Sequence, residues 1–241
     1  SGAAFVFERT PRGNWALAAK LVGSQIAARS YFGSVALDGD LAVVGAFGDD
    51  DLGLMTGAAY VFERIHGEWL ERARLMADDA HLGQAFGGTV AVSGERILVG
   101  AIGVDDHGFN TGAVYVFERD AAHRWNQEAK IVRFDPGNYD YFGAPLALEG
   151  DRALIGADDG ADVASGSAYV YERQPDGSWV EKVKLVSPHP SREDYFGSTL
   201  ALSGDRVLVG AHLDDTAGYG AGTVHVFERE ASGDWVARAQ L

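Results

Sequence analysis

Carboxylates are the side chains of this sequence with the plainest chemical capacity, and they come in groups. Asp49, Asp50 and Asp51 form one group, Asp105 and Asp106 a second, Asp158 and Asp159 with Asp162 a third, and Asp214 and Asp215 a fourth. Several carboxylates beside backbone carbonyls can supply the roughly six to eight oxygens that calcium takes. Adjacent carboxylates also repel, a cost unless a cation or a hydrogen-bond donor offsets it. The same residues have a structural reading, because aspartate fixes turns by accepting from nearby backbone N–H groups. Recurrence in every copy favours that second reading, and calcium is the one cofactor the sequence raises. His107, after Asp105-Asp106, and His212, before Asp214-Asp215, could join a cation site.

Other chemistries find no support in the residue pattern. With no cysteine, thiolate zinc and iron–sulfur sites are excluded. No Gly-x-Ser-x-Gly, His-Glu-x-x-His or Gly-x-x-x-x-Gly-Lys pattern occurs. Serine, histidine and aspartate stand at repeated or scattered places, with no one base beside one nucleophile. The expectation is a protein that is not an enzyme. For ligand contact, exposed aromatic rings beside polar groups suit a sugar or peptide. Tyr31, Tyr141 and Tyr195 each precede a Phe-Gly pair and read as packing residues. Tyr139 and Asn138 fall outside the repeat, and Phe109, Met55 and Tyr219 vary between otherwise equivalent loops. Those five are the candidate ligand contacts.

These groups are positioned by a repeat, which must be found before a fold is assigned. An aromatic residue in a Val-Phe-Glu-Arg-like segment stands at Phe7, Phe62, Phe117, Tyr171 and Phe227, and a tryptophan follows each, at Trp15, Trp69, Trp125, Trp179 and Trp235. Phe-Gly pairs begin at Phe32, Phe86, Phe142 and Phe196, and Gly-Ala pairs at Gly45, Gly100, Gly156 and Gly210. The period is about 55 residues, the size of one supersecondary unit.

Each unit reads as four strands. The first alternates small apolar residues, as in Gly197-Ser198-Thr199-Leu200-Ala201-Leu202. A tight Gly/Asp turn leads to a second, almost wholly apolar strand such as Arg206–Ala211, suited to burial on both faces. A long Asp/Gly-rich loop leads to the third strand, and a second turn to the fourth, which opens on the tryptophan. One such sheet cannot cover both its faces, whereas copies packed around an axis can. The expected fold is therefore an all-β propeller of four-stranded antiparallel blades, with the long loops of all units at one end. The Glu-Arg pair ending each third strand reads as an exposed ion pair of well under about 1 kcal/mol.

The residues also carry a family resemblance. Phe-Gly opening the first strand and Gly-Ala closing the second resemble the FG-GAP repeat of integrin α-subunit propellers. The whole unit, with Gly-Asp-Arg-x-Leu-Val-Gly-Ala and its Asp-Asp loop, is still more similar to the FG-GAP repeat proteins common in bacteria. The resemblance implies a secreted or surface-displayed propeller engaged in adhesion or recognition. It departs at the calcium loop that integrin propellers carry between the first two strands. Here the matching turns are only Asp38-Gly39-Asp40, Ser93-Gly94-Glu95, Glu149-Gly150-Asp151 and Ser203-Gly204-Asp205.

The expected organisation over residues 1–241 is a single propeller domain or a fragment of one. It divides into a third-plus-fourth-strand hairpin at 1–22 and four blades at 23–77, 78–132, 133–186 and 187–241. The chain starts without methionine inside a strand-like run, Ala3–Phe7, so a piece of a longer protein is expected. Its net charge of −15 disfavours nucleic acid, and no apolar run reaches the roughly 20 residues of a membrane span. The functional expectation is a non-enzymatic extracellular adhesion scaffold of bacterial type, offering its Asp-rich loops to a protein or carbohydrate, with calcium assisting. One alternative is a self-assembling module that pairs through open blade edges into homo-oligomers. The other is a lectin-like or hydrolytic propeller that uses the central channel.

Overall fold

The computed structural model describes residues 2–159 and 165–241. It contains eighteen strands, all paired antiparallel and in sequence order. A two-stranded hairpin, β1 (Ala4–Arg9) and β2 (Trp15–Leu21), precedes four four-stranded sheets. The first sheet is β3 (Phe32–Asp38), β4 (Leu41–Ala46), β5 (Ala58–Ile65) and β6 (Glu68–Leu75). The second is β7 (Phe86–Ser93), β8 (Arg96–Ala101), β9 (Ala113–Arg119) and β10 (Trp125–Ile131). The third is β11 (Leu146–Glu149), β12 (Arg152–Ala157), β13 (Ser167–Arg173) and β14 (Trp179–Leu185). The fourth is β15 (Phe196–Ser203), β16 (Arg206–Ala211), β17 (Thr223–Arg229) and β18 (Trp235–Gln240). The fold is the all-β propeller type that the repeat predicts, with four complete blades and one hairpin.

Burial explains the strand compositions. Every residue of β4 is buried, and β8 and β12 are buried beyond their first arginine. These second strands are covered on both faces because β7 packs on β3 and β4, and β15 on β11 and β12. The Phe-Gly ring plugs each interface. Phe86 meets Tyr115 and Phe117 edge-on at 5.4 and 6.0 Å, and Phe142 and Phe196 sit equivalently. The glycine of Gly-Ala lets the next sheet approach: a Cβ on Gly100 would lie 2.3 Å from the Gly143 carbonyl oxygen.

Polar groups join consecutive sheets at both ends. At the long-loop end, Gly83 and Ala85 donate to the carbonyls of Leu54 and Met55, and Tyr139 and Tyr141 donate to Phe109 and Asn110. The loop leaving one second strand thus pairs with the loop entering the next sheet. At the far end, Gly94 N–H donates to Asp38, Gly150 to Ser93 Oγ, and Gly204 to Glu149. The short turns that lack a calcium loop hold one another directly. The Glu-Arg pairs are not isolated surface pairs, and that expectation is corrected. Arg64 reaches Glu8, Arg119 reaches Glu63, Arg173 reaches Glu118 and Arg229 reaches Glu172, each on the preceding sheet or hairpin.

Candidate active site between the third and fourth sheets

Most of the grouped aspartates among the described residues are occupied by the chain's own donors. Asp49 is buried and accepts from Arg74 at 2.6 Å and from the Tyr60 hydroxyl at 3.2 Å, while Asp51 also pairs with Arg74. Asp50, Asp105 and Asp215 accept backbone N–H groups of Met55, Asn110 and Gly220, and Asp214 accepts that of Thr216. Lys130 holds Asp106, and Arg133 and Lys184 hold Asp159. Among the described residues, no group of three or more carboxylates and imidazoles is placed to hold a metal ion. Fourth-strand cations, Arg74, Lys130 and Lys184, thus pair with aspartates of three of the four groups. Asp162 lies outside the described residues.

Three of the five candidate ligand contacts come together. Asn138 Oδ1 accepts the Phe109 N–H at 2.8 Å, and the Phe109 and Tyr139 rings meet edge-on at 5.3 Å. Met55 and Tyr219 belong to equivalent loops of other sheets, and Tyr219 is 100% exposed. Tyr31 stacks on Phe47 at 4.8 Å, and Tyr195 lies against His212 at 5.2 Å.

Among the described residues, Asp158 is the grouped aspartate whose side chain makes no hydrogen bond or ion pair. The residue two after the Gly-Ala glycine is Phe47, Ile102, Asp158 and His212 in the four sheets, so a carboxylate and an imidazole replace apolar groups only in the last two. Burial pushes the Asp158 carboxyl above the usual carboxylate range; the Asp159 charge adds to this and His212 counters it. On the fourth sheet, Phe196 pairs with Ala211 and Thr199 with Gly210, so Gly197 and Ser198 form a bulge. Bulges of this kind re-aim side chains, and here the His212 Nδ1 lies 3.0 Å from the Ser198 Oγ. The matching residue is Gly88 on the second sheet and Ala144 on the third, while the bulge of the first is one residue shorter.

The loop that backs Asp158 is held by an unrepeated cation. Arg133 occupies a position that is Gly23, Ala77 or Ser187 in the other units. Its side chain, 5% exposed, pairs with Asp140 at 2.7 Å and Asp159 at 2.6 Å, and lies over the Tyr169 ring. Asp140 in turn accepts the Gly137 N–H, and its backbone carbonyl accepts the Asp158 N–H at 2.7 Å. Burial raises the Asp140 carboxyl above its ordinary range, opposed by Gly137 N–H and Arg133. Ser198, Arg133 and Asp140 were not among the sequence candidates. The signal that could have found them is departure from the repeat, read column by column.

Comparison with known proteins was consistent with the repeat. The family described as FG-GAP repeat matches residues 15–62, 69–117, 125–171 and 179–227. Mouse integrin alpha-M is 29% identical over 188 residues, which cover 68% of this chain and 15% of that protein. Among solved structures, a protein from Lactobacillus plantarum superposes with a TM-score of 0.65 at 16% identity, covering 99% of this chain and 64% of the other. The periplasmic gluconolactonase of Pseudomonas aeruginosa does so with a TM-score of 0.61 at 16% identity, covering 100% and 63%. The chain therefore spans less than two thirds of each of these relatives, and the structural likeness concerns the fold.

Two expectations are corrected on these findings. The leading expectation was a non-enzymatic adhesion scaffold, with a hydrolytic propeller as one alternative, yet the fold the chain adopts is shared with a gluconolactonase. The residue-level ground for excluding catalysis also fails, since one base does stand beside one nucleophile, His212 beside Ser198. The bulge brings together two residues that lie fourteen positions apart in sequence.

Proposed function

The chain belongs to the FG-GAP repeat family, and on that premise we propose that it is a hydrolytic propeller that cleaves an ester or lactone bond beside the junction of its third and fourth sheets. The observation that carries the reading is the Ser198–His212 contact at 3.0 Å, found on the one sheet where both side chains occur. Support also comes from the gluconolactonase that shares the fold.

His212 Nδ1 takes the Ser198 proton as Oγ bonds to the carbonyl carbon. The carbonyl–oxygen single bond then breaks, and the leaving alkoxide receives the proton from His212. Water, activated by the same imidazole, releases the acid and restores Ser198. Asp158 supplies the negative charge that stabilises the imidazolium formed in each half of the cycle. Arg133 is a positioning residue, fixing the Asp140 and Asp159 segments on either side of Asp158's backbone. We place the activity outside the cytoplasm, a reading supported by the periplasmic setting of the gluconolactonase.

The test is hydrolysis of glucono-δ-lactone and of 4-nitrophenyl acetate by the 241-residue chain. Ser198→Ala and His212→Ala should each lower kcat/KM by about a hundredfold or more. Turnover no faster than buffer on both substrates, or turnover untouched by both variants, would refute the proposal.

A further inference from the structure

The junction between the second and third sheets differs from its neighbours by one hydroxyl group. Between hairpin and first sheet, the Ser24 N–H and hydroxyl both donate to the Glu71 carboxylate at 2.7 Å. Between first and second sheets, the Asp78 N–H donates to Gln127 Oε1 at 3.1 Å. Phe134 and Glu181 hold the matching positions at the next junction, and among the described residues they are not joined. Tyr171 has captured the carboxylate instead, its hydroxyl donating to Glu181 Oε2 at 3.1 Å. The other sheets have Phe62, Phe117 and Phe227 at that position. At the last junction Pro188 has no N–H and Ala237 no side-chain acceptor. Only here do a donor and an acceptor both exist and stay apart. Phe134 stands 94% exposed, and a cleft of about 680 Å³ opens beside it. That volume lies within the roughly 300–1,000 Å³ of small-molecule sites.

We infer that this cleft binds a pyranose unit of a neutral glycan. Trp179 and Phe134 offer aromatic surface to the C–H face of a sugar ring. The Glu181 carboxylate accepts from sugar hydroxyls, and the Phe134 N–H and His107 ring meet sugar oxygens. The charged groups around the cleft are net negative, which makes a basic peptide the rival occupant, but each already has a partner within the chain. The guanidinium in its wall, Arg133, is already paired with Asp135, Asp140 and Asp159, and Glu181 already accepts from Tyr171. A ligand with many hydroxyls and no net charge satisfies these groups without adding an unpaired ion. The site shares the Arg133 wall with the loop that backs Asp158 but no side chain with Ser198 or His212, and neither Phe134→Ser nor Tyr171→Phe touches Arg133's ion pairs.

Calorimetric titration of the full chain with cellotetraose, mannotetraose, chitotetraose and tetralysine tests this. One of the three sugars should bind saturably. Phe134→Ser, a change at an exposed ring, should weaken that binding by about tenfold or more. Tyr171→Phe installs the residue of the other sheets and frees Glu181 to accept the Phe134 N–H, so it should close the cleft and weaken binding as much. Both variants should keep the wild-type Tm and the lactone turnover. No sugar binding, sugar binding unchanged in both variants, or binding of tetralysine alone would each overturn the inference.

Discussion

Arg119 reaches back across a sheet junction to Glu63, fifty-six residues earlier, with both terminal guanidinium nitrogens 3.2 Å from one carboxylate oxygen. The arginine side chain is 13% exposed, so the pair is sheltered and its loss leaves a cation short of its main partner. Glu63→Ala should lower unfolding free energy by about 1–2 kcal/mol. The exposed Arg124–Asp120 pair is the control, and Arg124→Ala should have the smaller effect. Urea denaturation compares them directly; equal effects would remove the junction from the account of stability.

Gly100 faces the backbone of the next sheet, where the Gly143 carbonyl cannot swing aside. An added Cβ would meet Gly143 O at 2.3 Å and Thr89 Oγ1 at 2.2 Å. Gly100→Ala should therefore destabilise the chain by about 1–3 kcal/mol through overpacking. Gly67→Ala is a useful comparison, because nothing lies near its Cβ position and only its positive φ resists the change. A smaller Tm loss at Gly67 is expected, and the reverse order would mean that sheet spacing is set elsewhere.

Asp158 couples activity to stability with opposite signs. Because burial raises its carboxyl above the unfolded value, the folded chain holds the proton more tightly than the unfolded chain. Its contribution to stability is full below the unfolded value and is lost as pH rises through the folded one. Asp158→Asn should then raise Tm at about pH 7 and change it little at about pH 3, while reducing lactone turnover. A variant both less stable and fully active at neutral pH would contradict this.

His225 gives the opposite pH dependence. Burial lowers its pKa, with the Asp214 carboxylate at 3.9 Å pulling the other way. The unfolded chain takes up the proton first as pH falls, so stability is full above the ordinary histidine value and is lost as pH drops through the folded one. Tm should decline on acidification from about pH 7.5 to about pH 5. His225→Tyr installs the residue found at Tyr60, Tyr115 and Tyr169, and its hydroxyl could serve the Asp214 oxygen that lacks a partner. That variant should flatten the acid loss, as read by Tm against pH.

Cation occupancy of the long loops makes a prediction about metal. Arg74 on β6 pairs with both Asp49 and Asp51, so chelator should leave the wild-type Tm unchanged. Arg74→Met leaves those carboxylates facing one another, and added calcium should then raise its Tm. A chelator-induced fall in wild-type Tm would show a metal that these contacts do not explain.

The propeller was legible because its determinants repeat. Phe86 and Gly100 recur with their partners in sheet after sheet, and each copy reports the same local rule. The arrangement at Ser198 and His212 was not, because a bulge joins a residue of β15 to one just past the end of β16 and spacing alone does not reveal it. The aspartates were legible only in part for a related reason: Asp49 and Asp106 show their carboxylates in the sequence, while the cations answering them, Arg74 on β6 and Lys130 on β10, lie 25 and 24 residues later. The Tyr171 substitution was visible as a single departure from phenylalanine, but its effect on Glu181 depends on two strands lying side by side.

The backbone N–H donors of the far-end turns all point back to the preceding sheet, while Arg96 and Arg152 reach forward to the carbonyls of Gly150 and Gly204. Asp38 receives from Gly94, Ser93 from Gly150 and Glu149 from Gly204, over separations of 56, 57 and 55 residues. A unit so built carries a plug on one side and a socket on the other. Copying one such segment in tandem reproduces both halves of every joint, so the array can lengthen by gene duplication without inventing a new contact.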